Sequence, residues 1–319
     1  MRGVVTDSSM PGGLRLADNL AEPQAGPHEL VLAVRAFSIN AGEASLVEQR
    51  PDGWRPGQDT AGVVVAAAAD GSGPPAGTRV VAYPEWEGWA ERIVVPVNWV
   101  APIPDGVSFE QAATLPVAGL TALRAVRAGG ALVGRNVLVT GATGGVGQVA
   151  VQLAVASGAQ VTALVSGPER EADALELGAQ LVTSSLGGSG LGPFHLVLDA
   201  VGGDVLMQAV RLAAPGAEIV LYGNRGGKAA EFALRDFYQA GAFNARVTAF
   251  ISTVPEQTKG EDLAILAGLV ADGRLRPRIG WTADWTRTAD AFAAMARREF
   301  RGKAVLIVAL YGYRGWCDG

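Results

Sequence analysis

Between residues 137 and 166 the apolar positions change period twice. Val137-Leu138-Val139 is a short run of strand type, and Gly141, Gly144, Gly145 and Gly147 follow at once. From Val146 the apolar residues Val149, Ala150, Leu153 and Ala154 recur at helical spacing until Gly158, and residues 161–165 form a second apolar run. Strand, glycine turn, helix, strand is the unit that holds a dinucleotide pyrophosphate against a helix N-terminus. The same alternation continues downstream. It predicts strands at 181–183, 196–199, 219–222 and 247–251, and helices near 145–156, 169–177, 204–212 and 261–272. With 137–140 and 161–165 this makes a doubly wound α/β sheet of Rossmann type.

The first ~110 residues follow another pattern. Short apolar runs at Val4-Val5, 30–34, 62–67, 78–82 and 91–95 are separated by Pro, Gly and Asp clusters at 22–27, 51–57 and 70–77, which predicts a β-rich, barrel-like domain. Ser108-Phe109-Glu110-Gln111 fits a capping box that opens a helix, and a second helix is expected over 117–127. The tail returns to β, with a helix at 289–298 and a strand at 304–308. The expected division is 1–112 with 276–319 as the β-rich catalytic domain, and 113–275 as the dinucleotide-binding domain.

The glycine loop departs from GxGxxG, because Ala142 stands at the first position. Gly141, Thr143, Gly144, Gly145 and Val146 are the residues expected at the phosphates, where bare backbone approaches closely and the helix dipole favours negative charge. The end of the second strand selects the cofactor. An NAD site puts a carboxylate there, about 20 residues after the glycines. This chain reads Val165-Ser166-Gly167-Pro168-Glu169-Arg170 instead. Ser166 can hydrogen-bond a 2′-phosphate and Arg170 can pair with one through its planar fork, so NADP(H) is the cofactor expected. The competing readings are a solvated charge for Arg170 and a helix cap for Ser166.

Composition narrows the function classes. The 319 residues suit about two domains. With 49% apolar residues the chain is globular, and a net charge of −5 without a basic stripe argues against nucleic acid. No apolar run is long enough to span a bilayer and the N-terminus lacks a signal-peptide core, so a cytoplasmic protein is expected. The single cysteine, Cys317, excludes an internal disulfide and a cysteine-based zinc site, and His28 and His195 have no metal-type neighbours in sequence.

Several motifs, taken in order along the chain, carry a family resemblance. They are Ser38-Ile39-Asn40, Pro56-Gly57-Gln58-Asp59-Thr60-Ala61-Gly62, Gly88-Trp89-Ala90-Glu91, Leu115-Pro116-Val117-Ala118-Gly119-Leu120-Thr121-Ala122, the glycine loop, Asp199-Ala200-Val201-Gly202 and Arg301-Gly302-Lys303. The chain resembles the zinc-independent quinone oxidoreductase branch of the medium-chain dehydrogenase/reductase superfamily along essentially its whole length. The resemblance implies a chaperonin-10-like catalytic domain beside the Rossmann domain. It also places the zinc ligands of zinc-dependent relatives at Asn40, Gln58 and Val117, a set that cannot bind zinc.

What the resemblance implies instead is hydride transfer from NADPH to an activated alkene or a quinone. The substrate is then a small molecule: an enone, a quinone, or an enoyl thioester of a fatty-acid, polyketide or other secondary-metabolite pathway. A non-catalytic NADPH-binding protein is the lesser alternative. The resemblance puts Asn40 and Thr121 near the nicotinamide, Gln58 toward the substrate, and backbone at Phe250-Ile251 against the carboxamide. Gly223 and Asn224 then lie along the cofactor, and Lys303 approaches the cofactor or the substrate edge. It also implies a homodimer in which the edge strand near 246–251 pairs across a two-fold axis. Simpler readings compete: a turn residue for Asn40, an intrahelical bond for Thr121, loop polarity for Gln58 and a surface charge for Lys303. Trp54, Trp86 and Trp89 line an aromatic pocket or cover the β-rich core. Several relatives carry a tyrosine a few residues after the Asn, inferred as proton donor. Here the stretch holds only Glu43 and Ser45, which leaves water, or by elimination Tyr83, Tyr222 or Tyr238, as the proton donor.

Overall fold

The computed structural model describes residues 1–188, 190–251 and 258–309. The tail 311–319, with Cys317, lies outside the described residues. Cα packing divides the chain into two units: Met1–Val117, Pro255–Asp272 and Pro277–Gly319 form the first, and Ala118–Val254 with Gly273–Arg276 the second.

The first unit begins with β1 (Gly3–Thr6), β2 (Leu14–Ala17), β3 (Glu29–Ser38), α1 (Ala41–Gln49), β4 (Asp59–Ala66), β5 (Arg79–Ala82), β6 (Arg92–Pro96), β7 (Val100–Pro102) and α2 (Phe109–Ala113). The second contains α3 (Leu120–Ala128), β8 (Asn136–Thr140), α4 (Gly145–Ala156), β9 (Gln160–Leu164), α5 (Glu171–Glu176), β10 (Leu181–Thr183), β11 (Phe194–Asp199), α6 (Gly203–Arg211), β12 (Ala213–Leu221), α7 (Leu234–Ala240) and β13 (Arg246–Ala249). The chain then returns to the first unit with α8 (Lys259–Ala271), β14 (Ile279–Asp284), α9 (Thr288–Ala296) and β15 (Lys303–Ile307).

The first unit is built on a mixed sheet in the order β14-β15-β3-β4-β5-β7, with β6 on β3. β3 alternates because one face packs inward: Leu30, Leu32, Val34 and Phe37 are fully buried. Phe37 stacks on Trp89 at 5.3 Å, and Trp89 meets Phe292 at 5.5 Å. Trp89 is 1% exposed, so it is core, and the pocket reading fails for it. Gly57 lets two segments close over that core: its φ is +117°, and a Cβ there would stand 2.6 Å from the Trp89 ring.

The second unit is a parallel sheet in the order β10-β9-β8-β11-β12-β13, the doubly wound arrangement expected. Strand centres fall where the apolar runs lie, and α4 matches its expected span. Three differences in element assignment stand out. The expected helix at 117–127 starts only at Leu120, because Leu115–Gly119 is a π-helical turn around Pro116. α1 occupies a stretch read as a turn, and α7 fills a segment assigned no element, while β14 is the return to β expected before the helix at 289–298. The expected helix at 261–272 forms as α8, and Cα packing groups it with the first unit. The Lys259 ammonium lies over the Trp99 ring at 3.5 Å and the Tyr83 ring at 4.9 Å. A Cβ on Gly260 would touch the Val100 carbonyl at 2.6 Å, so the helix lies close on β7.

Candidate active site

In the second unit, the residues expected to bind cofactor gather at the carboxyl ends of the parallel strands. The glycine loop follows β8, and Gly144 caps α4 with extended backbone and no side-chain hydrogen bond, so the first N–H groups of a twelve-residue helix are left for a ligand. Ser166 is exposed just after β9. The cap of the following turn is Gly167, which sets aside the capping role for Ser166. Arg170 is not a solvated surface charge: its side chain is 16% exposed and donates to Thr143 Oγ1 at 3.2 Å, beside the glycine loop. After β11, the Asp199 carboxylate accepts from Thr140 Oγ1 at 2.7 Å and from the Gly202 N–H at 2.8 Å, which fixes the turn. Gly223 and Asn224 follow β12 and pack on that turn; a Cβ on Gly223 would meet the Ala200 carbonyl at 3.0 Å. Phe250 follows β13 and donates its N–H to the Leu221 carbonyl at 2.8 Å, with Ile251 70% exposed beyond it. Thr121 is 6% exposed on α3 in this same unit.

In the first unit a polar network sits at the end of β3. Asn40 starts α1 from extended backbone, and its N–H donates to Glu43 Oε2 at 2.8 Å. The acid thus caps the helix whose dipole favours it. Glu43 Oε1 accepts the Gln58 N–H at 2.9 Å. The Asn40 amide donates to Glu43 Oε2 at 3.2 Å and to Asp59 Oδ2 at 2.9 Å. Lys303 donates to Asp59 Oδ2 at 2.8 Å, to the Ile39 carbonyl at 2.9 Å and to Asn40 Oδ1. Ser38 Oγ donates to Asp59 Oδ2, and the Val117 N–H donates to Asp59 Oδ1 at 2.7 Å. Glu43, Asp59 and Lys303 are 1%, 0% and 3% exposed. Burial and the nearby Asp59 carboxylate push the Glu43 carboxyl up to about 8 against the pull of Lys303.

Asn40 and Gln58 are therefore brought together, and Lys303, the reading of which as a surface charge fails, is an internal counter-ion. Sequence reasoning missed that Glu43, Ser38 and Asp59 organise this network. The signal was present, since Asn40-x-x-Glu43 is a capping box like the one read at Ser108. The three tyrosines fall elsewhere: Tyr83 lies beneath Lys259, Tyr238 is 60% exposed on α7, and Tyr222 lies beside Asp199, with its phenol pushed up by burial and that carboxylate. Trp54 and Trp86 pair at 5.0 Å and are half-buried.

The positions that the resemblance matches to zinc ligands carry two amides and a valine here, and the Val117 N–H donates to Asp59. That donor set does not fit zinc. Among the described residues no group of three or more His, Cys, Asp or Glu side chains could hold a metal ion.

Comparison with known proteins agrees with the fold. Residues 145–260 match the family model described as zinc-binding dehydrogenase. The chain is 32% identical to the human protein named NAD(P)H oxidoreductase RTN4IP1, mitochondrial, over 79% of this chain and 70% of that one. It is 31% identical to a segment of the pikromycin polyketide synthase component PikAII of Streptomyces venezuelae, over 91% of this chain and 8% of that one. The quinone oxidoreductase of Pseudomonas syringae superposes with a TM-score of 0.83 at 26% identity, covering 96% of this chain and 99% of that one. The length and identity of these matches place the chain in the quinone oxidoreductase-like branch of the medium-chain dehydrogenase/reductase family.

Proposed function

We propose that the protein is an NADPH-dependent reductase that delivers hydride to the β-carbon of an α,β-unsaturated carbonyl, or to a quinone, without zinc. One observation carries the reading. A cradle of bare backbone and helix N-terminus is flanked by an arginine held on Thr143, where a ribose 2′-phosphate needs a cation. NADPH, when bound, supplies the hydride. The chain binds the pyrophosphate with the amides of Gly145 and Val146 at the start of α4, and Gly223, Asn224 and the Phe250-Ile251 backbone follow the carboxyl ends of strands in the same sheet. Gln58, half-buried, offers its side-chain amide to a substrate carbonyl, where charge develops as hydride arrives.

An enoyl thioester is the second substrate class. The observation that favours it is the 31% identity to a polyketide synthase segment over nearly the whole chain. The deciding experiment mixes chelator-dialysed protein with NADPH and a panel of enones, quinones and enoyl thioesters. Consumption of NADPH with an enone or quinone supports the reading, and faster turnover of thioesters selects the second class. Tight NADPH binding with no turnover of any acceptor defeats both and leaves a non-catalytic binding protein.

Arg170→Ala is expected to weaken NADPH about tenfold to a hundredfold, the scale of one charge-assisted pair, and to leave NADH nearly unchanged. Calorimetric titration with each cofactor checks this, and equal weakening refutes the 2′-phosphate role.

A homodimer completes the proposal. β13 ends its sheet, and Phe232, Leu234, Tyr238, Phe243 and Ile251, near it in sequence, are 39% to 70% exposed. A second copy pairing on that edge covers both, so a dimer mass is expected by light scattering at micromolar concentration, and a monomer mass contradicts it. Among the described residues no helix is long and apolar enough to cross a membrane, and the proposed setting is the cytoplasm.

A further inference from the structure

We propose that Glu43 is a positioning residue for the reduction step, acting through Asn40, and that the form carrying a proton is the active one. The inference rests on the reductase reading.

The geometry supplies the first argument. Both hydrogens of the Asn40 amide are taken, one by Glu43 Oε2 at 3.2 Å and one by Asp59 Oδ2 at 2.9 Å, and its oxygen accepts from Lys303. The reversed amide would set its NH2 against the Lys303 ammonium, so the orientation is fixed. With Glu43 ionised, Asn40 has no hydrogen left for a substrate oxygen. The longer of the two bonds is the one to Glu43, and a proton on that carboxyl weakens it most. The released N–H is then a donor within the site.

Charge supplies the second argument. Glu43 and Asp59 are two buried carboxyls facing one buried ammonium. Asp59 holds the direct ion pair, at 2.8 Å, with Ser38, Asn40 and Val117 as further donors. Glu43 accepts N–H bonds from Asn40 and Gln58, which pull it toward ionisation as the α1 N-terminus does, but it lacks an ammonium contact, and burial with the Asp59 carboxylate outweighs that pull. One proton makes the network neutral, and Glu43 is the carboxyl without an ammonium contact. The titratable groups that face it are Asp59 from β4 and Lys303 from β15, and burial with Asp59 outweighs Lys303 in holding its proton to about pH 8. Hydride arrival puts negative charge on the substrate, which a neutral network tolerates and an anionic one opposes. Both arguments give one sign: turnover is full at neutral pH and falls as the proton leaves.

Stability carries the same sign. The folded state keeps the Glu43 proton to about pH 8 against 4.5 for the free side chain, so stability declines with rising pH across that window.

The test compares the native protein with Glu43→Gln, which cannot ionise, by two measurements. Infrared spectra of the cofactor-free protein at neutral pH are expected to show a protonated-carboxyl band that Glu43→Gln removes. Enone turnover under saturating NADPH is expected to fall at least threefold above pH 8 in the native protein and to stay flat in Glu43→Gln, with NADPH affinity unchanged in both. No such band, or an alkaline fall that persists in Glu43→Gln, overturns the inference. A purely structural role would lower turnover of the variant by the same factor at every pH. Absence of turnover with bound NADPH counts against the reductase reading, and the infrared band still decides where the proton sits.

Discussion

The Gly147→Ala protein is expected to bind NADPH at least about a hundredfold more weakly than the native protein, a loss of about 3 kcal/mol. The added Cβ would stand 2.3 Å from the Gly141 carbonyl oxygen, 2.8 Å from Ala142 Cα and 3.0 Å from the Ala142 carbonyl carbon. All three are backbone atoms of the loop itself, so no side-chain rotation relieves the clash. The first turn of α4 must move away from the loop, and the amides aimed at the pyrophosphate move with it. Overpacking of this kind also costs about 1–3 kcal/mol of stability. Titration calorimetry and urea unfolding on the same preparation measure both. NADPH affinity within twofold of the native value would show that the loop holds no phosphate.

Lys303→Met is expected to be the most damaging single change in the first unit. It leaves Asp59, 0% exposed, with hydrogen-bond donors but no cation. Breaking a buried pair by removing one partner costs about 3–5 kcal/mol, whereas removing both charges is often close to neutral. The double variant Lys303→Met, Asp59→Asn should therefore recover much of the loss. Removing the cation also deprives Glu43 of the charge that pulls it toward ionisation, so the single variant is less impaired at acidic pH, where the Glu43 carboxyl is protonated, than at alkaline pH. Urea unfolding at two pH values checks both statements. A loss under about 1 kcal/mol would mean that the ion pair is dispensable to the fold.

These two sites differ in how far the sequence disclosed them. The glycine loop was legible because its signal is local: the apolar period changes from two to 3.6 at the loop, and the chain has little freedom to do anything else. α4 and β8 accordingly lie where the pattern placed them. The Lys303 network was not legible, because residues far apart in sequence meet there by pairing of β3 with β4 and β15. Sequence reading found Asn40, Gln58 and Lys303 only through family motifs and had no means of joining them. α8 shows the same limit. Its helical period was clear, but its packing in the first unit depends on Lys259 meeting Trp99 and Tyr83, a contact no spacing rule contains.

The aromatic residues show why burial is harder to read than periodicity. Trp54, Trp86 and Trp89 look alike as apolar residues between Pro and Gly turns. Trp89 is inside because its neighbour Gly88 accepts a close approach from Gly57, so the segment folds inward onto Phe37. Trp54 and Trp86 lie on the outer parts of the same two segments. There they pair with each other, and Arg50 stands over the Trp54 ring at 5.4 Å.

The central claim is that hydride leaves a bound NADPH for the β-carbon of an unsaturated carbonyl with no zinc to polarise the oxygen. The most direct measurement is the position of deuterium in the product when chelator-treated protein reduces a simple enone with NADPH deuterated at the nicotinamide C4. Deuterium on the carbon β to an intact carbonyl is the predicted result. Deuterium on the carbonyl carbon of an allylic alcohol would contradict the account and point to alcohol dehydrogenase chemistry instead.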